Sequence, residues 1–310
     1  MTRQIGRREL LKSALAATAA AGLGGLASDW VRGARAAEAT MPTRRLGKTG
    51  HDVSIFSLGG VGTLSQDGEG DAGVEIVNHA LDLGVNYIDT AADYGSGLSE
   101  SRIGEVMKER RDEVFLATKS HVYDYDGVMR MCEESLERLQ TDHLDLYQHH
   151  RVQDLERLDR IAQPDGALRA FEQLRDEGVV RHLGITSHTP HIMTEAIDRH
   201  DYDCVLITIN PAHMVYGTPY DADDLTAFLA KAAEKDVGVI AMKVLNSGNI
   251  LERGVSVEQA LRYALSREPV STACVGITEL PQLDENVEVA RSFEPLSAEE
   301  LAELEELAQD

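Results

Sequence analysis

Along this chain, short continuous runs of apolar residues alternate with longer stretches in which apolar positions recur every three or four residues. The short runs do not alternate apolar with polar, which is how strands buried on both faces of a parallel sheet read. They predict strands over Ile55–Leu58, Val85–Asp89, Val114–Thr118, Leu144–Gln148, His182–Thr186, Cys204–Ile209, Val237–Met242 and Thr272–Val275. The longer stretches predict helices over Asp71–Leu83, Glu100–Glu109, Gly127–Leu139, Asp165–Glu177, Pro190–Arg199, Asp221–Glu234, Ser256–Ser266 and Pro281–Ala290. Strand and helix units repeating at roughly 30-residue intervals predict an α/β protein, a (β/α)8 TIM barrel. A doubly wound sheet is the competing architecture and opens with a short glycine-rich turn from strand to helix. Gly59-Gly-Val-Gly62 follows the first strand, but residues 63–70 separate it from the helix, so the match is poor.

Punctuation supports these elements. Gly84, Gly178 and Gly238 stand where helices should stop or turn. Ser256 with Gln259 reads as a capping box. The segment from Thr43 to Val53, with Gly47-Lys-Thr-Gly50 as its turn, predicts an N-terminal β-hairpin that plugs the base of the barrel. After the eighth unit, Ser297 to Ala308 predicts an extra C-terminal helix with Ser297 as N-cap and Glu300 at the third position.

Residues 1–36 read as a targeting segment rather than structure. Arg3, Arg7, Arg8 and Lys12 form a basic start, a weakly apolar run extends from Ala14 to Ala27, and Ala34-Arg-Ala36 offers a cleavage site. The pair Arg7-Arg8 resembles a twin-arginine export signal. The expected organisation is therefore a signal peptide over 1–36 and a barrel over 42–310. The twin-arginine export machinery is an expected partner, and the destination is the periplasm or the exterior, or the cytoplasm if the signal goes unused. The apolar run is shorter than the ~20 residues a span needs, so no stable membrane span is expected after cleavage.

The chain has 310 residues, a length one barrel domain accommodates. Aromatic residues make up 5%, so aliphatic side chains must fill the core. Acidic residues outnumber basic ones 53 to 30, which argues against a nucleic-acid partner. Cys132, Cys204 and Cys274 lack metal-ligand spacing and read as small buried hydrophobes. His121, His149, His150, His188 and His213 all fall near strand C-terminal ends, yet no carboxylate or cysteine joins them in ligand spacing. No metal site is expected; a metal-dependent barrel hydrolase is the reading such a cluster would otherwise suggest.

In a (β/α)8 barrel the chemistry sits at the C-terminal mouth. Asp89, Lys119 and His150 end three successive predicted strands, and Tyr94 follows Asp89 in the same loop. An ammonium about 4 Å from a phenol at an effective dielectric of about 20 is worth ~4 kcal/mol, enough to lower a tyrosine pKa by roughly three units. Lys119 is thus expected to bring Tyr94 into range as a general acid, with Asp89 holding Lys119 and His150 either donating to a substrate carbonyl oxygen or helping to relay the proton. Asp93 and Glu100 read as loop and helix caps, Glu100 with a possible part in fixing the Tyr94 loop.

From about Arg44 onward the chain resembles the aldo-keto reductases. The matching runs are Arg45-Leu-Gly-Lys-Thr-Gly50, Asp89-Thr-Ala-Ala-Asp-Tyr-Gly95, Thr118-Lys119, Asp145-Leu-Tyr-Gln-His-His150, Leu183-Gly-Ile-Thr-Ser187 and Glu285-Asn286. The resemblance implies a small-molecule carbonyl substrate, reduction of an aldehyde or ketone, NADP(H) or NAD(H) as cofactor, and Asp89, Tyr94, Lys119 and His150 as the catalytic set. It implies that Thr186 and Ser187 meet the nicotinamide amide and that Asn210 lies near the ring. Lys243, Asn246, Ser247 and Gly248 would hold the pyrophosphate, and Gly276, Gln282, Glu285 and Asn286 the adenosine. The chain departs from the family pattern at Leu206, where a glutamine is expected, and at Gly276 and Gln282, where many members carry a basic pair for a 2′-phosphate. An exported, non-catalytic cofactor-binding or regulatory protein on the same barrel is the alternative reading, motivated by the export signal.

Overall fold

Eight of the apolar runs become parallel strands that close on themselves. The computed structural model describes residues 40–68 and 70–309, so the predicted export signal lies outside the described residues. In chain order the barrel strands are Phe56–Gly62, Tyr87–Asp89, Phe115–Ser120, Leu144–His149, Val180–Ser187, Cys204–Thr208, Gly238–Met242 and Val270–Ile277. Each pairs with the next, and the eighth pairs with the first through Ala273 opposite Phe56 and Val275 opposite Leu58. Eight parallel strands with helices between them are the predicted TIM barrel.

Alternate side chains of each strand point inward or outward, so there are two cores. Tyr87, Phe115, Leu146, Cys204, Leu206, Ile240 and Cys274 fill the barrel, with Tyr87 and Phe115 stacked 5.4 Å apart. The larger aliphatic core lies between the strands and the helices. All three cysteines are free and buried, as expected.

The hairpin forms from Thr43–Arg45 and Asp52–Ser54 and closes the base of the barrel. Leu46 at its turn is fully buried in the inner core. Gly47 next to it has φ of 48°, and a Cβ there would lie 2.2 Å from the backbone nitrogen of Gly238. Gly238 is therefore not the helix stop its position suggested. The left-handed residue after that helix is Asp236, φ 51°, and Gly238 opens the seventh strand with Leu46 pressed where its side chain would be. Gly84 and Gly178 do carry the left-handed turns. Both capping boxes form: Gln259 N donates to the Ser256 hydroxyl at 3.1 Å, and Ser297 N donates to Glu300 Oε2 at 2.7 Å. Two further helices, Leu155–Ile161 and Asn249–Glu252, and a small hairpin pairing Met214–Val215 with Thr218–Pro219, decorate the loops; they are too short for periodicity to reveal.

Candidate active site at the barrel mouth

Asp89 is the last residue of the second barrel strand, and Tyr94 begins the turn that follows it. Gly95, Ser96 and Gly97 run left-handed in succession, with φ of 59°, 54° and 91°. A Cβ on Gly95 would lie 2.3 Å from the Ser65 carbonyl oxygen, so glycine permits the close return that presents Tyr94. The helix Leu98–Arg110 then starts, but Glu100 does not cap it. Glu100 is fully buried and accepts hydrogen bonds from the Thr118 hydroxyl at 2.6 Å and from Arg138 Nε at 2.6 Å. It ties the loop to the strand that carries Lys119.

Lys119 is fully buried and donates to Asp89 Oδ1, to the Thr90 carbonyl oxygen at 2.6 Å, and to the Tyr94 hydroxyl oxygen at 3.4 Å. Gln148 Nε2 donates to the other Asp89 oxygen at 2.9 Å. Burial works against the Lys119 charge, but Asp89 and the Tyr94 oxygen outweigh it and hold its pKa above the ordinary lysine value. The Tyr94 pKa moves the other way from the sequence expectation. Burial raises it more than Lys119 lowers it, and the nearby Asp89 carboxylate raises it further. The ammonium arrives already paired, so its pull on the phenol is partly cancelled. Its phenol therefore keeps its proton at neutral pH in the free protein.

His150 follows the fourth strand and packs edge-on against the Tyr94 ring, centroids 5.7 Å apart. Burial lowers its pKa, partly offset by Asp93. Asp93 is not a loop cap: its Oδ1 lies 3.2 Å from His150 Nδ1, and Arg151 lies 3.4 Å from its other oxygen. Burial raises the Asp93 pKa, but the contact with His150 and the charges of His150, Arg151 and His121 outweigh it and bring it down to about 2.

A cleft of about 610 Å³ opens beside this cluster, with Asp89 and Tyr94 in its wall. Of the residues expected at a cofactor, Lys243, Ser247, Gly248, Gly276, Gln282, Glu285 and Asn286 line it. Thr186, Ser187, Asn210 and Asn246 do not line this cleft. The Thr186 hydroxyl accepts from Arg151 N at 2.9 Å, and the Ser187 hydroxyl donates to Gln153 Oε1 at 3.1 Å, so both stitch neighbouring loops together. The Asn210 amide donates to the carbonyl oxygens of Met214 and Lys243, and Asn246 is buried. The sequence reading placed Leu206 at the cofactor but missed the apolar wall it forms with Met242, Val244, Leu245 and Val275, and the glycine strand Gly59–Gly62. It had set that strand aside as a failed nucleotide fingerprint. It also missed a cluster at the rim. Lys243 sits over the Tyr216 ring at 4.6 Å, and His188, bonded through Nδ1 to the Thr208 hydroxyl at 2.7 Å, meets the same ring edge-on.

The lining suits a nicotinamide dinucleotide. It offers flat apolar surface for the rings, the Lys243 ammonium for a pyrophosphate, and the Asn286 side chain, which makes no hydrogen bond to a described residue although the residue is only 2% exposed. The five mouth histidines do not converge. His149 faces away from the mouth, stacked on Phe171 at 3.8 Å, and His213 bonds the Tyr263 hydroxyl at 2.9 Å. Among the described residues no three His, Cys, Asp or Glu side chains are grouped to hold a metal ion.

Comparison with known proteins identifies the family and agrees with the fold. The model of the aldo/keto reductase family matches residues 59–256. L-galactose dehydrogenase of Arabidopsis thaliana is 29% identical, over 84% of this chain and 92% of that protein. The oxidoreductase YqkF of Bacillus subtilis is 27% identical, over 86% and 96%. In three dimensions, the holo form of aldo-keto reductase AKR11C1 from Bacillus halodurans superposes with a TM-score of 0.71 at 26% identity, covering 86% of this chain and 96% of that one.

Proposed function

The chain belongs to the aldo/keto reductase family, and from the arrangement at its mouth we propose that it interconverts a small aldehyde or ketone and the corresponding alcohol, with Tyr94 as the proton donor. A nicotinamide cofactor bound in the cleft would supply or accept the hydride. The protein supplies the proton and the charge balance. Lys119 donates to the Tyr94 oxygen, which leaves the phenolic hydrogen free to point into the cleft. As that hydrogen passes to the substrate oxygen, the phenolate that remains sits 3.4 Å from a permanent positive charge. At an effective dielectric of about 20 this attraction is worth ~5 kcal/mol, and it grows only as the phenolate forms. Asp89 and Gln148 keep Lys119 in place while that happens.

The observation that carries the reading is this directional relay, in which a buried, paired ammonium donates to a tyrosine that lines the cleft. Tyr94→Phe keeps the ring and loses the proton. It should cut turnover by about 10²–10⁴-fold and leave cofactor affinity, read by the fluorescence of the bound reduced cofactor, unchanged. Turnover within a few-fold of the parent would remove Tyr94 from the acid role.

We read the cofactor as NAD(H) in preference to NADP(H). The charged residues in the cleft lining are Asp89, Lys243 and Glu285, so the wall built by Gly276, Gln282, Glu285 and Asn286 carries a carboxylate and no cation. The Gln282 side-chain oxygen Oε1 is occupied, accepting from the Thr278 backbone N–H and hydroxyl at 3.0 and 2.9 Å. A 2′-phosphate on this wall meets the like charge of Glu285, whereas a ribose hydroxyl can donate to that carboxylate. With residues 1–36 read as an export signal, the enzyme works outside the cytoplasm and retains or recycles its cofactor there.

A further inference from the structure

Resting on the reading of the cleft as a dinucleotide site, we propose that Arg253 and Glu305 are positioning residues for the cofactor. Through them the last helix, Ala298–Gln309, holds the wall that the loop after the seventh strand contributes to the cleft. The starting observation is a loop in an unfavourable conformation. Lys243, Asn246 and Ser247 have φ of 53°, 45° and 59°, and Gly248 follows at 92°. A side chain in the left-handed region crowds its own backbone, so such a stretch persists only where its surroundings fix it. The same loop gives Lys243, Ser247, Gly248 and Leu251 to the cleft lining. Across the left-handed stretch its backbone makes two short turns, with Asn246 N donating to the Lys243 carbonyl oxygen at 2.9 Å and Gly248 N to that of Leu245 at 2.7 Å.

Further restraint reaches the loop from outside, along two routes that start on the last helix. On the first, Arg253 Nη1 donates to the Ala308 carbonyl oxygen at 2.6 Å. Ala308 lies in the last turn of the helix, where carbonyl oxygens have no partner within it and favour a cation. Arg253 directly follows the helical turn Asn249–Glu252 that carries Leu251. On the second, the Tyr263 hydroxyl donates to Glu305 Oε1 at 2.6 Å. With its hydrogen committed there, the Tyr263 oxygen can only accept, and it does so from His213 Nε2 at 2.9 Å. His213 N donates to the Asn210 carbonyl oxygen at 3.1 Å, and the buried Asn210 amide donates to the Lys243 carbonyl oxygen at 3.0 Å. One route thus ends beside Leu251 and the other at Lys243, near the two ends of the wall. A loop fixed before the dinucleotide arrives loses less freedom on binding it, which tightens binding and slows release.

Amide hydrogen exchange on the cofactor-free chain reads the loop, and NADH titration and release read the site. Arg253→Met should speed exchange over residues 243–252 and weaken NADH binding by about tenfold, the worth of one hydrogen bond from a charged donor, mostly through faster release. Arg253→Lys, which keeps a donor, should restore both. Glu305→Ala should weaken NADH binding in the same way and should also speed exchange over 210–220, which lie on its route. Losing a carboxylate favours an anionic dinucleotide by charge alone, so weaker binding in Glu305→Ala separates the brace from simple electrostatics. Should that variant not fold, the Arg253→Met loss measured at high salt, where charge effects are screened, decides the point. Unchanged exchange over 243–252, or faster exchange with unchanged NADH affinity and release, would overturn the proposal. Exchange is read without cofactor, so a parent chain that binds no NADH while its loop responds as expected would count against the dinucleotide reading alone.

Discussion

Replacing Lys119 by methionine tests the buried pair under the site. The substitution keeps the length of the side chain and removes its charge. Asp89, 2% exposed, is then left with Gln148 Nε2 at 2.9 Å as its remaining side-chain partner. Removing one member of a buried ion pair costs about 3–5 kcal/mol, because the other charge stays stranded away from water. For a domain of this size each kcal/mol moves the melting temperature by about 2–4 °C, so Lys119→Met should lower it by on the order of 10 °C. Adding Asp89→Asn removes the stranded charge, and the double variant should regain most of the loss. Urea unfolding gives the four corners of this cycle, read as midpoint shifts at constant slope. Losses that simply add, with coupling below about 0.5 kcal/mol, would show that the two charges do not depend on each other and refute the reasoning. Turnover separates stability from chemistry: the double variant should fold well and remain inactive, since nothing is left to hold the phenolate.

Three further expectations follow from other parts of the molecule. Fluorescence titration should show NADH binding roughly tenfold or more tightly than NADPH, a difference of about 1.4 kcal/mol; Glu285→Arg should narrow the gap, and a parent protein that prefers NADPH would rule out the electrostatic argument. His149, buried against Phe171, has a pKa pushed from 6.5 down to about 3 by burial and by the nearby His200. The unfolded chain therefore binds a proton below about pH 6.5 that the folded protein refuses until about pH 3, and stability falls as the pH drops through that window, by roughly 2 kcal/mol between neutrality and pH 5. His149→Phe should flatten this slope in acid-unfolding curves, and an unchanged slope would mean that the ring is protonated or hydrated in the fold. Changing Arg7-Arg8 to a lysine pair in the full chain should leave the protein in the cytoplasm on fractionation, and undiminished export would remove the twin-arginine reading of residues 1–36.

The strand-end residues were legible because a barrel's periodicity predicts where each strand stops, and stopping there is what brings Asp89 and Lys119 together. What stayed hidden depends on partners distant in sequence. Asp93 looks like a loop cap until His150 is seen 3.2 Å away, and Glu100 looks like a helix cap until Thr118 and Arg138 are seen to donate to it. Thr186 and Ser187 end the fifth strand as expected, yet whether a hydroxyl faces a cleft or a neighbouring loop is decided by Arg151 and Gln153, on another unit of the barrel. The direction of the Tyr94 shift was misjudged for a related reason. A sequence shows that an ammonium is near, but not that it is already paired or that the phenol is buried.

These long-range contacts bear on how the site works. Electrostatic assistance is most useful when the helping groups need not rearrange as charge develops. Here the ammonium is held from three sides by Asp89, Thr90 and Tyr94, Asp89 is held in turn by Gln148, and the loop that carries Tyr94 is anchored through Glu100 to the strand that carries Lys119. Arg102, on the helix that follows the loop, donates to the carbonyl oxygens of Thr63 and Gln66 and so braces the adjoining turn against which Gly95 packs. Each brace crosses from one β/α unit to another. The cost of arranging the charges is therefore met during folding, and the same buried pairs that make Lys119→Met destabilising keep the ammonium aimed at the tyrosine oxygen before any substrate arrives.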